Sequence, residues 1–336
     1  MKRFPSLVLT VGTSLLATPA SADSGWSIQW ISFGGAPFAP QLKAVNMPTE
    51  NDGIAVGGFT GRFGGAFAFA LWTEDGGVHW RGASTPPGSG ALNNVKFTDL
   101  TTAVAVGMEG TVLRTTNRGA TWTRLDSGTV RELAAVSFDD GNTGTAVGQA
   151  GTILRTTDGG LTWMAQSSGT TNSLDDVFSL DAKTAVAVGG GGTILQTIDG
   201  GVTWTPRSSG TTTHLRAVSF ADANSGTVVG DAGTILRTAD GGVSWSPQLS
   251  GTTASLLSVA YAAEADTVAV GGIGTILRTT DGGATWRQQE LPLVVEQWPG
   301  WSGVSFRGGN GIAVGGLFIL RTLTGGEPVT CTVTIR

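Results

Sequence analysis

Cysteine is almost absent from this chain. Cys331 is the only one in 336 residues, so no intrachain disulfide can form and stability must come from packing. Histidine is nearly as scarce: His79 and His214 stand alone, and neither HxxxH nor CxxC spacing occurs, so no metal site and no cofactor are expected. Tyr261 is the single tyrosine. Charged residues make up only 13% of the chain and the formal net charge is −5, which argues against a nucleic-acid partner, since that needs a basic footprint. No apolar run approaches the ~20 residues of a membrane-spanning helix. Strong helix formers nowhere hold a 3.6-residue period over a long stretch.

What is plentiful is glycine, at 53 residues, and tryptophan, at 11. Apolar residues recur in short alternating runs punctuated by glycine, the pattern of many short strands joined by tight turns. The first residues read differently. Met1-Lys2-Arg3 is a basic start, Leu7 to Leu16 a mostly apolar core, and Ala20-Ser21-Ala22 a small-x-small cleavage site. The expectation is a secretory signal over residues 1–22 and a single domain over 23–336, exported to a periplasm, a lumen or the cell exterior. Loss of Lys2 and Arg3 takes the formal charge to about −7.

The strongest signal is repetition. Tryptophan falls at 80, 122, 163, 204, 245 and 286, spaced by 42, 41, 41, 41 and 41 residues. Ahead of each lies a turn such as Asp75-Gly-Gly77, Asp158-Gly-Gly160, Asp199-Gly-Gly201, Asp240-Gly-Gly242 or Asp281-Gly-Gly283, with Asn117-Arg-Gly119 as a variant. Each unit opens on Leu-x-x-Val, from Leu42/Val45 to Leu256/Val259, and in the seventh copy Trp301 replaces the leucine. Four short strands fit each unit, so the sequence predicts a seven-bladed, all-β propeller of four-stranded antiparallel blades. Trp30 occupies the repeat tryptophan position without a unit ahead of it. The segment around Trp26 to Ser32 is therefore one candidate for the outer strand of the last blade; the alternating tail Val329 to Ile335 is the other.

The stretch Thr156-Thr-Asp158-Gly-Gly160-Leu-Thr162-Trp163 matches the Asp-box pattern. Its carboxylate is expected to accept a backbone N–H two residues on, its glycines to supply positive φ, and its tryptophan to bury a ring between blades with the N–H free for a partner. The motif recurs around the ring, whereas an active site would be singular. Asp75, Asp158, Asp199, Asp240 and Asp281, with Trp80, Trp122, Trp163, Trp204, Trp245 and Trp286, are read as structural, and no catalytic residue is assigned.

Function is expected where the copies differ. The loops on the face opposite the Asp-boxes are the least uniform part of the chain. The first unit inserts residues around Arg62 and Phe63, and a longer loop carrying Trp298 and Trp301 precedes the seventh. This rim either contacts a partner or covers the ring closure. The same face collects Glu109, Arg131, Glu132, Asp175, Asp176, His214, Arg216 and Asp231; His214 is read as a surface loop residue. A basic ladder, Arg114, Arg155, Arg237, Arg278 and Arg321, is interrupted by Gln196. It either grips an acidic partner segment or pairs with Asp-box carboxylates and tryptophans.

The phrase Gly148-Gln-Ala-Gly151-Thr-Ile153-Leu-Arg-Thr156-Thr-Asp158-Gly-Gly160-Leu-Thr162-Trp163, which returns at 189–204, 230–245 and 271–286, resembles the repeat of the photosystem II stability and assembly factor family. The resemblance covers nearly the whole mature chain. It implies an exported seven-bladed propeller that acts as a non-enzymatic scaffold and binds a protein partner, a subunit of a membrane complex. That family's arginine-rich surface would fall on the ladder. Similar repeats occur in sialidases and xyloglucan-cleaving hydrolases. A glycoside hydrolase would need paired carboxylates, for which Asp175, Asp176, Glu109 and Asp231 are the candidates. A sialidase would need a tyrosine nucleophile, but Tyr261 sits at a core position. A glycan-binding module using Phe63, Trp298 and Trp301 is the third reading.

Overall fold

A computed structural model describes residues 27–30, 40–60, 66–263, 265–289, 300–307, 310–316 and 318–322. They form seven four-stranded antiparallel sheets. Blade three is typical, with strands Leu133–Phe138, Gly144–Gly148, Thr152–Thr156 and Met164–Gln166. The second strand of blades two to five is buried at every position, as in Ala103–Gly107 and Gly144–Gly148, because a neighbouring blade covers each of its faces. That is why it reads as a continuous apolar run rather than an alternating one. Its last residue must be glycine: a Cβ on Gly148 would lie 2.1 Å from the Glu132 carbonyl oxygen across the ladder.

The core is divided into seven clusters, each drawn from two adjacent blades. Ile54 and Val56 of blade one, for example, pack with Leu92, Val95 and Trp122 of blade two. The Leu-x-x-Val phrase spans a bulge. The register slips between Leu133 and Ala135, and likewise at the start of the other first strands from blade one to blade six. The slip buries both leucine and valine and turns the residue after the leucine toward the mouth of the central channel. Trp301 takes the leucine position of blade seven and is fully buried at 0% exposure, so it is a core residue and not a rim contact.

Ring closure follows the N-terminal alternative. Ser27–Trp30 pairs with Phe318–Thr322, Ser27 opposite Arg321 and Trp30 opposite Phe318, as the outer strand of a blade completed by Gly303–Arg307 and Asn310–Gly315. The rival tail at 329–335, the signal at 1–22, Arg62, Phe63 and Trp298 lie outside the described residues. Among those residues no helix is long and apolar enough to cross a membrane.

Candidate functional site: the channel and its loop-rich mouth

The two ends of the ring differ. At one end each Asp-box joins the third and fourth strands, and the same hydrogen bonds recur. Asp158 Oδ1 accepts from the amides of Leu161 (3.0 Å) and Thr162 (2.9 Å), and Thr162 Oγ1 donates to Oδ2 at 2.6 Å. The carboxylate thus caps amides three and four residues on, not two. Thr156 Oγ1 donates to Asp158 and accepts from the Gly160 amide, closing the turn. These donors hold the carboxyls of Asp199 and Asp240 down at about 2. In blade one His79 replaces the threonine, with Nδ1 2.7 Å from Asp75 Oδ2. The indole N–H reaches a partner, and reaches it within the ring: Trp122, Trp163 and Trp245 donate to the glycine carbonyl of their own turn, and Trp204 donates to Gln166.

The basic ladder belongs to this same architecture. Arg114 Nε donates to the Gly159 carbonyl in the next blade's Asp-box at 2.9 Å, and Arg321 Nε to Gly76 at 2.7 Å. Gln196 Nε2 reaches Gly241 at 2.7 Å, so the residue that interrupts the series in sequence performs the same task. Arg155 donates to Thr145 and to the Ala182 carbonyl of the next blade. Arg237 donates to the Tyr261 hydroxyl, and Arg278 forms a two-pronged pair with Asp266. The ladder's partners are therefore mostly turn carbonyls rather than the Asp-box carboxylates and indole faces of one of the two expected alternatives. Arg114, Arg155, Gln196, Arg237 and Arg321 each reach a neighbouring blade, while Arg278 pairs with Asp266 in its own blade.

At the other end the side-chain contacts around the channel mouth do not repeat. The seven first strands line a channel of ≈ 690 Å³. At its mouth Arg216 donates from Nε and Nη2 to the two oxygens of Asp231 (2.9 and 2.8 Å) and from Nη1 to Asp175 Oδ2 (3.2 Å). His214 Nε2 lies 2.8 Å from that same Asp175 oxygen. His214 is therefore a half-buried member of an ion network rather than a plain surface residue. The guanidinium holds Asp231 below the ordinary carboxylate range. Glu132 accepts from Asn93 Nδ2 at 2.8 Å, and Asn93 Oδ1 accepts from Lys43 at 2.8 Å. Glu109, at a left-handed φ of 54°, and Arg131 are exposed and join neither group.

Below the mouth, side chains pin five of the seven blade junctions. Asn46 Oδ1 accepts from the Phe97 amide, Ser137 from Ser179, Asp176 from Val218, Ser258 from Val304 and Ser305 from Met47, at 2.9 to 3.2 Å. Asp176 also accepts from its neighbour Val177, and enclosure in the channel wall raises its carboxyl to about 6. Lys43, Asn93 and every pin but Asp176 escaped the sequence reading because their partners lie one blade away. A second repeat was also legible and missed. Ser127-Gly-Thr129, Ser168-Gly-Thr170, Ser209-Gly-Thr211 and Ser250-Gly-Thr252 form near-identical loops on the face expected to be least uniform.

Comparison with known proteins bears on this mouth. Residues 165–250 match the family model described as photosynthesis system II assembly factor YCF48. The match spans blades four and five, and Asp175, Asp176, His214, Arg216 and Asp231 all lie within it. The resemblance to this assembly-factor family is thus carried in sequence by the blades that hold the ion network. Solved structures extend the likeness in fold. "YCF48 bound to D1 peptide" aligns with TM-score 0.68 and 20% identity over 92% of this chain and all of that one. YCF48 from Cyanidioschyzon merolae aligns with TM-score 0.66 and 22% identity over 88% and 98%. The GH74 xyloglucanase from Xanthomonas campestris aligns equally well, TM-score 0.66, at 15% identity over 89% of this chain and 54% of that one. At these identities the structures speak for the propeller alone. No curated protein matches the chain in sequence.

Proposed function

We propose that this chain is an exported, non-enzymatic scaffold that holds a segment of a protein partner, a subunit of a membrane complex, at the loop-rich mouth of its channel. The observation that carries the reading is the coincidence of the family match with the one ion network that does not repeat around the ring. One solved YCF48 is described as bound to a D1 peptide, which supports a polypeptide segment as the ligand class. The mouth offers fixed acceptors. Asp175 and Asp231 share a single guanidinium, so the cluster carries excess negative charge and suits a segment with cationic or N–H donor groups. The pinned blades below keep those acceptors from rearranging, which lowers the cost of ordering on binding.

The hydrolase reading draws less support. Asp175 and Asp231 are engaged by Arg216, and Asp176 by two backbone amides, so the candidate carboxylates serve as acceptors within the wall. A glycan remains an outcome of the test. Synthetic peptides tiling the exported loops and tails of the host's membrane-complex subunits should be titrated into residues 23–336. A single peptide should bind, and Asp175→Asn together with Asp231→Asn should weaken it roughly tenfold or more, the scale of lost charge-assisted contacts. Binding of xyloglucan or sialyl oligosaccharides with no peptide bound would overturn the reading.

A further inference from the structure

Lys96 breaks the pin pattern. It stands four residues after the leucine of its first strand, where Asn46, Ser137 and Ser305 stand in blades one, three and seven and accept an amide from the next blade. An ammonium has three donors and no lone pair, so lysine cannot do that work. Its Nζ has no hydrogen-bond or ion-pair partner among the described residues, although it lines the channel and is half-buried there. The acid it senses is Asp176, whose two oxygens each accept a backbone amide N–H, from Val177 and Val218, and neither of which lies within ion-pair distance of the ammonium. Desolvation holds the lysine below its ordinary range. Two further donors share this wall. Asn46 spends its carbonyl oxygen on Phe97 and keeps its NH2, and the Asn94 side chain has no partner among the described residues.

A wall of unspent donors around one enclosed cation is matched by a ligand that is all acceptor. We infer that the channel is a binding site for a small organic carboxylate, held by Lys96 with Asn46 and Asn94. A carboxylate is planar, carries a single charge and presents four lone-pair positions to three donor groups. A metal ion is excluded by the ammonium. A dianion such as sulfate is disfavoured by Asp175 and Asp176, which line the same channel. The space of ≈ 690 Å³ admits an acid of amino-acid size with room for its apolar part against the valines of the seven first strands. This site lies below the mouth and does not depend on the partner reading.

The test is a calorimetric titration of residues 23–336 with sodium propionate, with propionamide as its uncharged counterpart and sodium sulfate as the dianion. Propionate should bind saturably at one site, and neither of the others should. Lys96→Met should weaken propionate roughly tenfold or more, and Lys96→Arg should keep it, since the charge and donors remain. Lys96→Met should melt no lower than the parent, because an unpaired enclosed charge is removed. If it fails to fold, Asn94→Leu takes its place and should weaken propionate severalfold. No propionate binding, equal binding of propionamide, tighter binding of sulfate, or an unchanged affinity in Lys96→Met would each overturn the assignment. A tripeptide with a free carboxyl terminus, compared with its amide, separates a chain end from a small ion as the source of the carboxylate.

Discussion

The Asp-box end of the ring and the channel end obey opposite rules. At the box end one set of hydrogen bonds is copied from blade to blade, and even an exception keeps the job: Gln196 donates to Gly241 much as Arg114 donates to Gly159. At the channel end neither the residue nor its exact place is constant: the pins stand four residues after the leucine column in blades one, three and seven and two after it in blades four and six. Asparagine, serine and aspartate pin five blade junctions, and a lysine that cannot pin stands in the column of Asn46, Ser137 and Ser305. Repetition at the box end marks what every blade needs in order to fold. Variation at the channel end marks where selection for something other than folding has room to act.

The comparison breaks most visibly through the repeated core. Trp80 is 1% exposed and seals the interface between blades seven and one. Trp80→Ala should cost about 3–5 kcal/mol in chemical denaturation, with peptide and propionate affinities unchanged in the protein that remains folded. Loss of either affinity would mean that the two ends are mechanically coupled. Next comes Arg278, buried with Asp266 at 8% and 18% side-chain exposure. Arg278→Met strands the carboxylate and should cost roughly 3 kcal/mol, and adding Asp266→Leu should return most of it. Equal stability of the single and double variants would show that the pair carries no penalty of isolation.

The two ends should also answer pH with opposite sign. Asp199 and Asp240 titrate at about 2 in the folded ring, below the ordinary 3.8. Their contribution is complete above 3.8 and is lost as pH falls toward 2. Asp176 titrates near 6 when folded, above 3.8, so the folded chain binds the extra proton between those values. Its contribution is complete below 3.8 and is lost as pH rises through 6, at most about 3 kcal/mol. Denaturation midpoints for Asp176→Asn should lose the decline between pH 4 and 6, while Asp199→Asn paired with Asp240→Asn should flatten the acid limb. A parent protein with no decline from pH 4 to 6 would place Asp176 in open solvent.

How much of this was legible follows from the reach of each contact. The Asp-box reads directly because its partners are two to four residues apart, inside one turn. Seven blades read directly because a 41-residue period leaves few other architectures. The ladder's partners are 10 to 245 residues away, the pins 42 to 258, and His214 meets Asp175 across 39. A single chain states such contacts only if equivalent columns are compared across repeats, and that comparison shows Lys96 at once. Trp301 was misplaced for the converse reason. It was weighed as part of a long aromatic loop, although its column, the leucine column, already assigned it to the core.

The smallest effect sharpens the comparison furthest. The Ser-Gly-Thr loops lie on the variable face yet follow the copying rule of the box face. Gly128, Gly169, Gly210 and Gly251 have φ of 70° to 72°, and a Cβ on any of them would meet nothing within 4 Å. Alanine there meets only the left-handed backbone preference, about 1 kcal/mol, with no packing contribution. If these loops are pure architecture, the four single variants should fall within a few tenths of a kcal/mol of one another, as independent distant sites do, and none should alter peptide affinity. Gly169→Ala and Gly210→Ala decide the matter, since their loops lead into the strands that carry Asp175 and Arg216. A peptide-affinity loss confined to those two would extend the binding surface from the ion network onto a loop that repetition alone marks as structural.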